Sequence, residues 1–201
     1  MAVQPRRKLM ICTFLVVGIA LGGVLVYGLL GANRPGGYPM NDSRFMVDHV
    51  SLKTNKPFEE VAKTFERQLG RFDPDVYKTL AEGGDPDATR TKLEAMVGPS
   101  GFMLFRTSDH GALLRLVGQK RKALQYLVGN PLFAIQMTQH DIRAGLFAPL
   151  RVLLYENEAG KTCLEYDKPS SLFGQFGNDR IAPTAIMLDK KLESLVAVAL
   201  E

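Results

Sequence analysis

Apolar and polar positions divide this chain into one unbroken apolar run and a longer stretch where the two kinds interleave. From Leu9 to Ala32 there is no charged residue, and Arg6, Arg7 and Lys8 stand directly before the run. A helix rises about 1.5 Å per residue, and roughly 20 apolar residues cross a bilayer's hydrocarbon core. The run has 24. The pattern therefore predicts one transmembrane helix over residues 9–32 behind a basic flank at residues 1–8. Cations concentrated ahead of the run place that flank in the cytoplasm and the rest of the chain outside it. The rival reading is a cleaved signal peptide, cut after Gly22 behind a core of Leu9–Ile19. Gly23–Leu30 continues apolar past that site, which favours a retained anchor. Residues 33–42, opening with the sequence NRPGGYPM, form a linker, and residues 43–201 make one domain.

Within that domain the periods change from segment to segment. Phe45–Thr54 alternates and predicts a half-buried strand with Met46, Val50 and Leu52 inward. After Asn55-Lys56-Pro57, the residues Phe58, Val61, Ala62, Phe65 and Leu69 recur at helical spacing. Asp73-Pro74 and Asp85-Pro86 each set a capping residue before a proline suited to a first helical turn, predicting helices over 74–82 and 86–97. Gly101–Thr107 and Lys122–Val128 predict strands, whereas His110–Gly118 has no decisive period. Leu132–Gln139 predicts a helix and Asp141–Phe147 a further turn. Pro149–Glu156 and Lys161–Asp167 flank Asn157-Glu158-Ala159-Gly160, a hairpin loop with glycine where positive φ is needed. Thr184–Leu200 closes the chain as an amphipathic helix, with Ile186, Leu188, Leu192, Leu195, Val196 and Ala199 as its apolar set. Together these elements predict a two-layer α+β domain, an antiparallel sheet of four to five strands covered by helices.

Composition removes one class of partner. The sequence pI of about 9.1 suggests nucleic acid, but of 25 Lys+Arg and 21 Asp+Glu, residues 1–32 hold three cations and no acid. The remaining 22 cations against 21 acids leave no basic surface to expect, so no nucleic acid is expected as a partner. Partners are expected to be membrane lipid through residues 9–32 and a small ligand or a protein through the domain. Gly18 and Gly22 form a small-xxx-small pair that permits a homodimer of anchor helices. Cys12 lies in the apolar run, so Cys163 is the domain's single cysteine, and neither an intrachain disulfide nor a cysteine-based metal site is available to it.

Gly129-Asn130-Pro131-Leu132, a helix, Ala148-Pro149-Leu150-Arg151-Val152-Leu153-Leu154-Tyr155-Glu156, the Gly160-Lys161 turn and Tyr166-Asp167 follow one another in fixed order. This block resembles the domain of unknown function 302 family, whose pattern is a GNP turn, a helix, an LP-x-x-V-x-V-Y-E strand, a turn and a last strand. The likeness covers roughly residues 45–200. This chain has Ala148-Pro149 where Leu-Pro is frequent, and a helical region at Phe72–Val97 reads as an insertion. The resemblance implies a compact α+β domain around an antiparallel sheet and implies no reaction.

Several residues invite chemistry. Asn130 is a helix cap, a role in which Asn130→Asp is nearly neutral; free N–H groups at the helix start are the alternative, a site for an anion or carbonyl. His110 and His140 each neighbour an aspartate, as Asp109-His110 and His140-Asp141. An imidazole oriented by a carboxylate is a general base, and two histidines begin a metal site. Arg143 and Arg151 are candidates for bidentate binding of a carboxylate. His49 falls on the polar face of the first strand, and Cys163 reads as a small buried hydrophobe. No cofactor is indicated, and no metal-ligating set is complete. The leading expectation is a membrane-anchored domain on the outer face of a bacterial cytoplasmic membrane that binds a small ligand or a protein partner. Two others stand beside it: a hydrolase-like or metal-dependent enzyme using His110 and His140, and a non-catalytic assembly module.

Overall fold

The computed structural model describes residues 42–201, of which Ser43–Glu201 form one compact unit. The expected transmembrane helix at residues 9–32, the basic flank and most of the linker lie outside the described residues. Among the described residues, no helix is long and apolar enough to cross a membrane.

The strands are β1 (His49–Thr54), β2 (Gly70–Arg71), β3 (Met103–Asp109), β4 (Ala123–Gly129), β5 (Leu150–Glu156) and β6 (Thr162–Asp167). They form one sheet in the order β1-β6-β5-β4-β3-β2. The α+β class holds, but the sheet has six strands rather than four to five, and it is mixed. Five strands pair antiparallel, and β2 joins the edge parallel to β3. A two-residue strand carries no period to read. It exists because Gly70 and Gly98 let two backbones approach: a Cβ on Gly70 would overlap the Met96 carbonyl.

The helices are α1 (Phe58–Arg67), α2 (Asp75–Ala81), α3 (Pro86–Ala95), α4 (His110–Leu114), α5 (Pro131–Thr138), α6 (Pro169–Gly174) and α7 (Ala182–Leu200). The ambiguous segment after β3 is α4 followed by a 3-10 turn that ends at Gly118, where φ is 75°. The turn expected over Asp141–Phe147 is a 3-10 segment, Ile142–Phe147. The short helix α6 follows β6 directly, with Pro169 in its first turn.

One face of the sheet is the core. Alternate positions Tyr126 and Val128 of β4, Val152 and Leu154 of β5, and Leu164 and Tyr166 of β6 are buried there under Phe65 of α1, Phe173 of α6 and Leu192 of α7. Each such side chain contributes about 1.5–3 kcal/mol on burial. The Tyr126 ring tilts against Phe65 at 5.0 Å, and its hydroxyl donates to Glu66 at 3.0 Å, so the buried phenol has an acceptor. Two inward assignments fail. Met46 is 90% exposed because strand pairing starts only at His49. Ile186 lies outside the α7 stripe formed by Ala185, Leu188, Leu192, Leu195, Val196 and Ala199.

Candidate binding recess and the open sheet face

Gly129 ends β4, and Asn130 turns the chain into α5 with Pro131 in the first helical turn. The Asn130 side-chain oxygen accepts the Leu132 N–H at 2.9 Å, and its amide donates to the Gly101 carbonyl at 3.0 Å. The cap expected from sequence is present. The second bond adds a tie to the β3 approach, so both ends of this buried amide are engaged within the protein.

Beside this turn lies a cavity of about 70 Å³ lined by Phe102, Phe105, Gly129, Phe133, Met137 and Pro149, with Asn130 at its polar edge. Its geometry comes from two local irregularities. The β3–β4 register slips between Leu104 and Arg106, leaving Phe105 as the extra residue, and a bulge of this kind re-aims a side chain. Phe105 then stacks on Phe72 at 4.2 Å and borders the cavity. On the opposite wall, the Ala148–Pro149 peptide is cis. A Cβ on Gly129 would stand 3.4 Å from both Phe105 and Pro149, so a side chain there would narrow the space between them.

The other sheet face carries a polar array, partly overlapped by α4 at one end. His49 Nδ1 lies 2.8 Å from Asp167 Oδ1, and His49 Nε2 lies 3.4 Å from Glu165 Oε2. Glu165 Oε1 also accepts the Tyr155 hydroxyl at 2.7 Å and the Ser51 hydroxyl at 3.0 Å. These bonds hold the Glu165 carboxyl below its ordinary range, the Tyr155 hydroxyl acting most strongly. Asp167 and Glu165 raise the His49 imidazole above its ordinary value. His49 is exposed on the polar face of β1, as its alternation predicts, and its two ring nitrogens also face carboxylates. Strand alternation places His49 and Ser51 on one face, and Glu165 and Asp167 on one face. Joining the two pairs needs the β1–β6 register, and no short-range signal supplies it.

The sequence candidates are dispersed. His110 is exposed at the start of α4 and borders a groove with Gln125, Leu153 and Tyr155. His140 is half-buried after α5, where its carbonyl accepts from Asn178. The groove beside His110 is not lined by His140. Their aspartates serve backbone ends: Asp109 accepts the Ala112 N–H at 2.8 Å, and Asp141 accepts the Arg143 N–H at 3.0 Å. The Arg143 guanidinium is held by Asp141 at 2.6 Å and lies 5.0 Å from the Phe176 ring centre. Arg151 is exposed on the open face, bordering a shallow depression with His49, Gln125 and Glu165. Cys163 is fully buried. Among the described residues, no group of three or more His, Cys, Asp or Glu side chains is arranged to hold a metal ion.

A two-layer α+β domain with an apolar recess at a strand-to-helix turn is thus the class of protein that the fold defines. The chain belongs to the family described as Domain of unknown function DUF302, whose model matches residues 76–199. No curated protein matches it. Its fold is similar to the crystal structure of the uncharacterized conserved protein DUF302 from Bacillus stearothermophilus, at a TM-score of 0.54 and 16% identity. That likeness covers 75% of this chain and 97% of the other, and it concerns the fold alone.

Proposed function

We propose that this chain is a single-pass membrane protein whose DUF302 domain, displayed outside the cytoplasm, binds a small ligand by an apolar group seated beside Gly129-Asn130-Pro131. One observation carries the binding reading. The two sequence blocks that mark the resemblance, Gly129–Pro131 and Ala148-Pro149, meet at an aromatic-lined cavity rather than at a filled wall. Whole drug-sized ligands occupy about 300 Å³ or more. A cavity of about 70 Å³ takes only the end of a molecule, such as a branched chain or a small ring. Burying about four carbons contributes roughly 3 kcal/mol before ordering costs, so the rest of the ligand binds at the mouth. With Asn130 engaged internally, nothing in the recess calls for charge, and the seated group is neutral.

The uncharged run at residues 9–32 behind Arg6-Arg7-Lys8 supports the anchor, its orientation and lipid as a partner. Gly18 and Gly22 support a homodimer of anchors. A reporter active only outside the cytoplasm, fused after Glu201, tests the topology: activity in the membrane fraction is expected, and an inactive reporter overturns it. For the recess, Met137 supplies a methyl probe. Titration with toluene or isobutanol is expected to shift the Met137 methyl NMR signal saturably in the wild type and not in Ala134→Phe, which fills the recess. A folded wild type whose Met137 signal does not respond to either probe overturns the binding reading.

A further inference from the structure

We infer that the domain rests on the lipid surface through the pole where the linker joins it, with Met46, Ile142 and Leu146 entering the interface. This rests on the anchor reading above and adds to it an orientation of the domain. The Phe45 ring meets the Phe147 ring edge-on at 6.2 Å, so the first described segment and the 3-10 turn lie side by side. Phe147 in turn packs on Phe173 at 6.3 Å and on Phe176 at 6.0 Å. Beside these rings in the chain come Met46, 90% exposed, and Ile142 and Leu146, each 79% exposed, all at the end of the sheet where β1 and β5 begin. Isolated exposed apolar residues are ordinary, but a group presented from a packed base marks a contact surface.

Chain length identifies the occupant. An uncharged run long enough to span a bilayer ends at Ala32, and residues 33–42 separate it from the domain. Ten residues extend to at most about 35 Å. The pole that receives this tether therefore stays within reach of the headgroups. The two segments carry no cationic excess, with Arg44 and Arg143 against Asp42, Asp48 and Asp141, and Arg143 is already held by Asp141. The contact is therefore apolar, and insensitive to salt and to lipid charge. A second exposed apolar group, Leu113, Leu116 and Val117, follows β3 at the opposite end of the strands and serves as the internal control.

The chain contains no tryptophan, so single tryptophans report their own surroundings. Full-length Leu146→Trp and Leu116→Trp are placed in lipid nanodiscs with and without brominated acyl chains. Quenching at position 146 and none at 116 is expected, unchanged at high salt. Equal emission from position 146 in both kinds of disc overturns the inference while the anchor reading stands. Quenching at 116 alone overturns it too. If the chain does not purify with the discs, the anchor reading itself fails and takes the inference with it. Ile142→Trp provides the same readout should Leu146→Trp not fold, and a blue-shifted but unquenched signal points to a second copy on this pole and overturns the proposal.

Discussion

His49 Nδ1 lies 2.8 Å from Asp167 Oδ1, tying β1 to β6 on the polar face of the sheet. The Asp167 hydrogen bond raises the imidazole above its ordinary value, with Glu165 adding to it. A group whose folded value is raised stabilises the fold fully below its unfolded value, near pH 6.5, and loses that effect as pH climbs through the folded value. The His49 side chain is half exposed, so the effect stays below about 1 kcal/mol. His49→Ala is therefore expected to lower the urea midpoint more at pH 5.5 than at pH 8.5. Equal losses at both would remove charge from the account.

Asn130→Ala removes a helix cap, worth about 1 kcal/mol, and leaves the Gly101 carbonyl without its donor, for a total near 2 kcal/mol. The structure also changes the expectation for aspartate. Capping alone makes Asn130→Asp nearly neutral, but a carboxylate facing the Gly101 carbonyl repels it. Asn130→Asp is expected to cost at least 1 kcal/mol in urea unfolding. A neutral result would show that the Gly101 bond contributes nothing.

The difference between those two expectations shows what is legible in a sequence. Asn130 and Pro131 announce a helix start because capping is local, and the core residues of α1 announce themselves because their spacing is local. The Gly101 bond joins positions 29 residues apart, and the His49–Asp167 bond positions 118 apart. Such bonds appear only when the register of distant strands is known. Phe45-Met46-Val47 misled for the opposite reason: alternation continues past the point where a partner strand exists. The recess was invisible because a bulge at Phe105 makes one of its walls, and periodicity does not register one extra residue.

Tyr155 is the largest influence holding the Glu165 carboxyl down, with Ser51 and His49 adding to it. A depressed carboxyl stabilises the fold above its unfolded value and loses that effect as pH falls through its folded value. Tyr155→Phe is expected to move the Glu165 carboxyl titration, followed by ¹³C NMR, up toward the ordinary carboxylate range. At neutral pH the variant should lose about 1 kcal/mol. An unchanged Glu165 midpoint would mean that Ser51 and His49 hold the carboxylate without the phenol.

Cys163 sits on the polar face of the sheet yet is fully buried, and the β5–β6 register places Tyr155 directly opposite it. Cross-strand neighbours have Cβ atoms about 5 Å apart, close enough for a tyrosine ring to lie over a thiol. That ring, rather than the helical layer, is expected to supply the cover. Iodoacetamide should therefore react slowly with Cys163 in the folded wild type and in Tyr155→Phe, which keeps the ring. Tyr155→Ala should react much faster at a urea concentration well below its unfolding midpoint. Peptide mass spectrometry separates Cys163 from Cys12, the other cysteine of the chain. If Tyr155→Ala stays protected while folded, the cover comes from elsewhere, with Lys53, the β1 residue paired to Cys163, as the next side chain to remove.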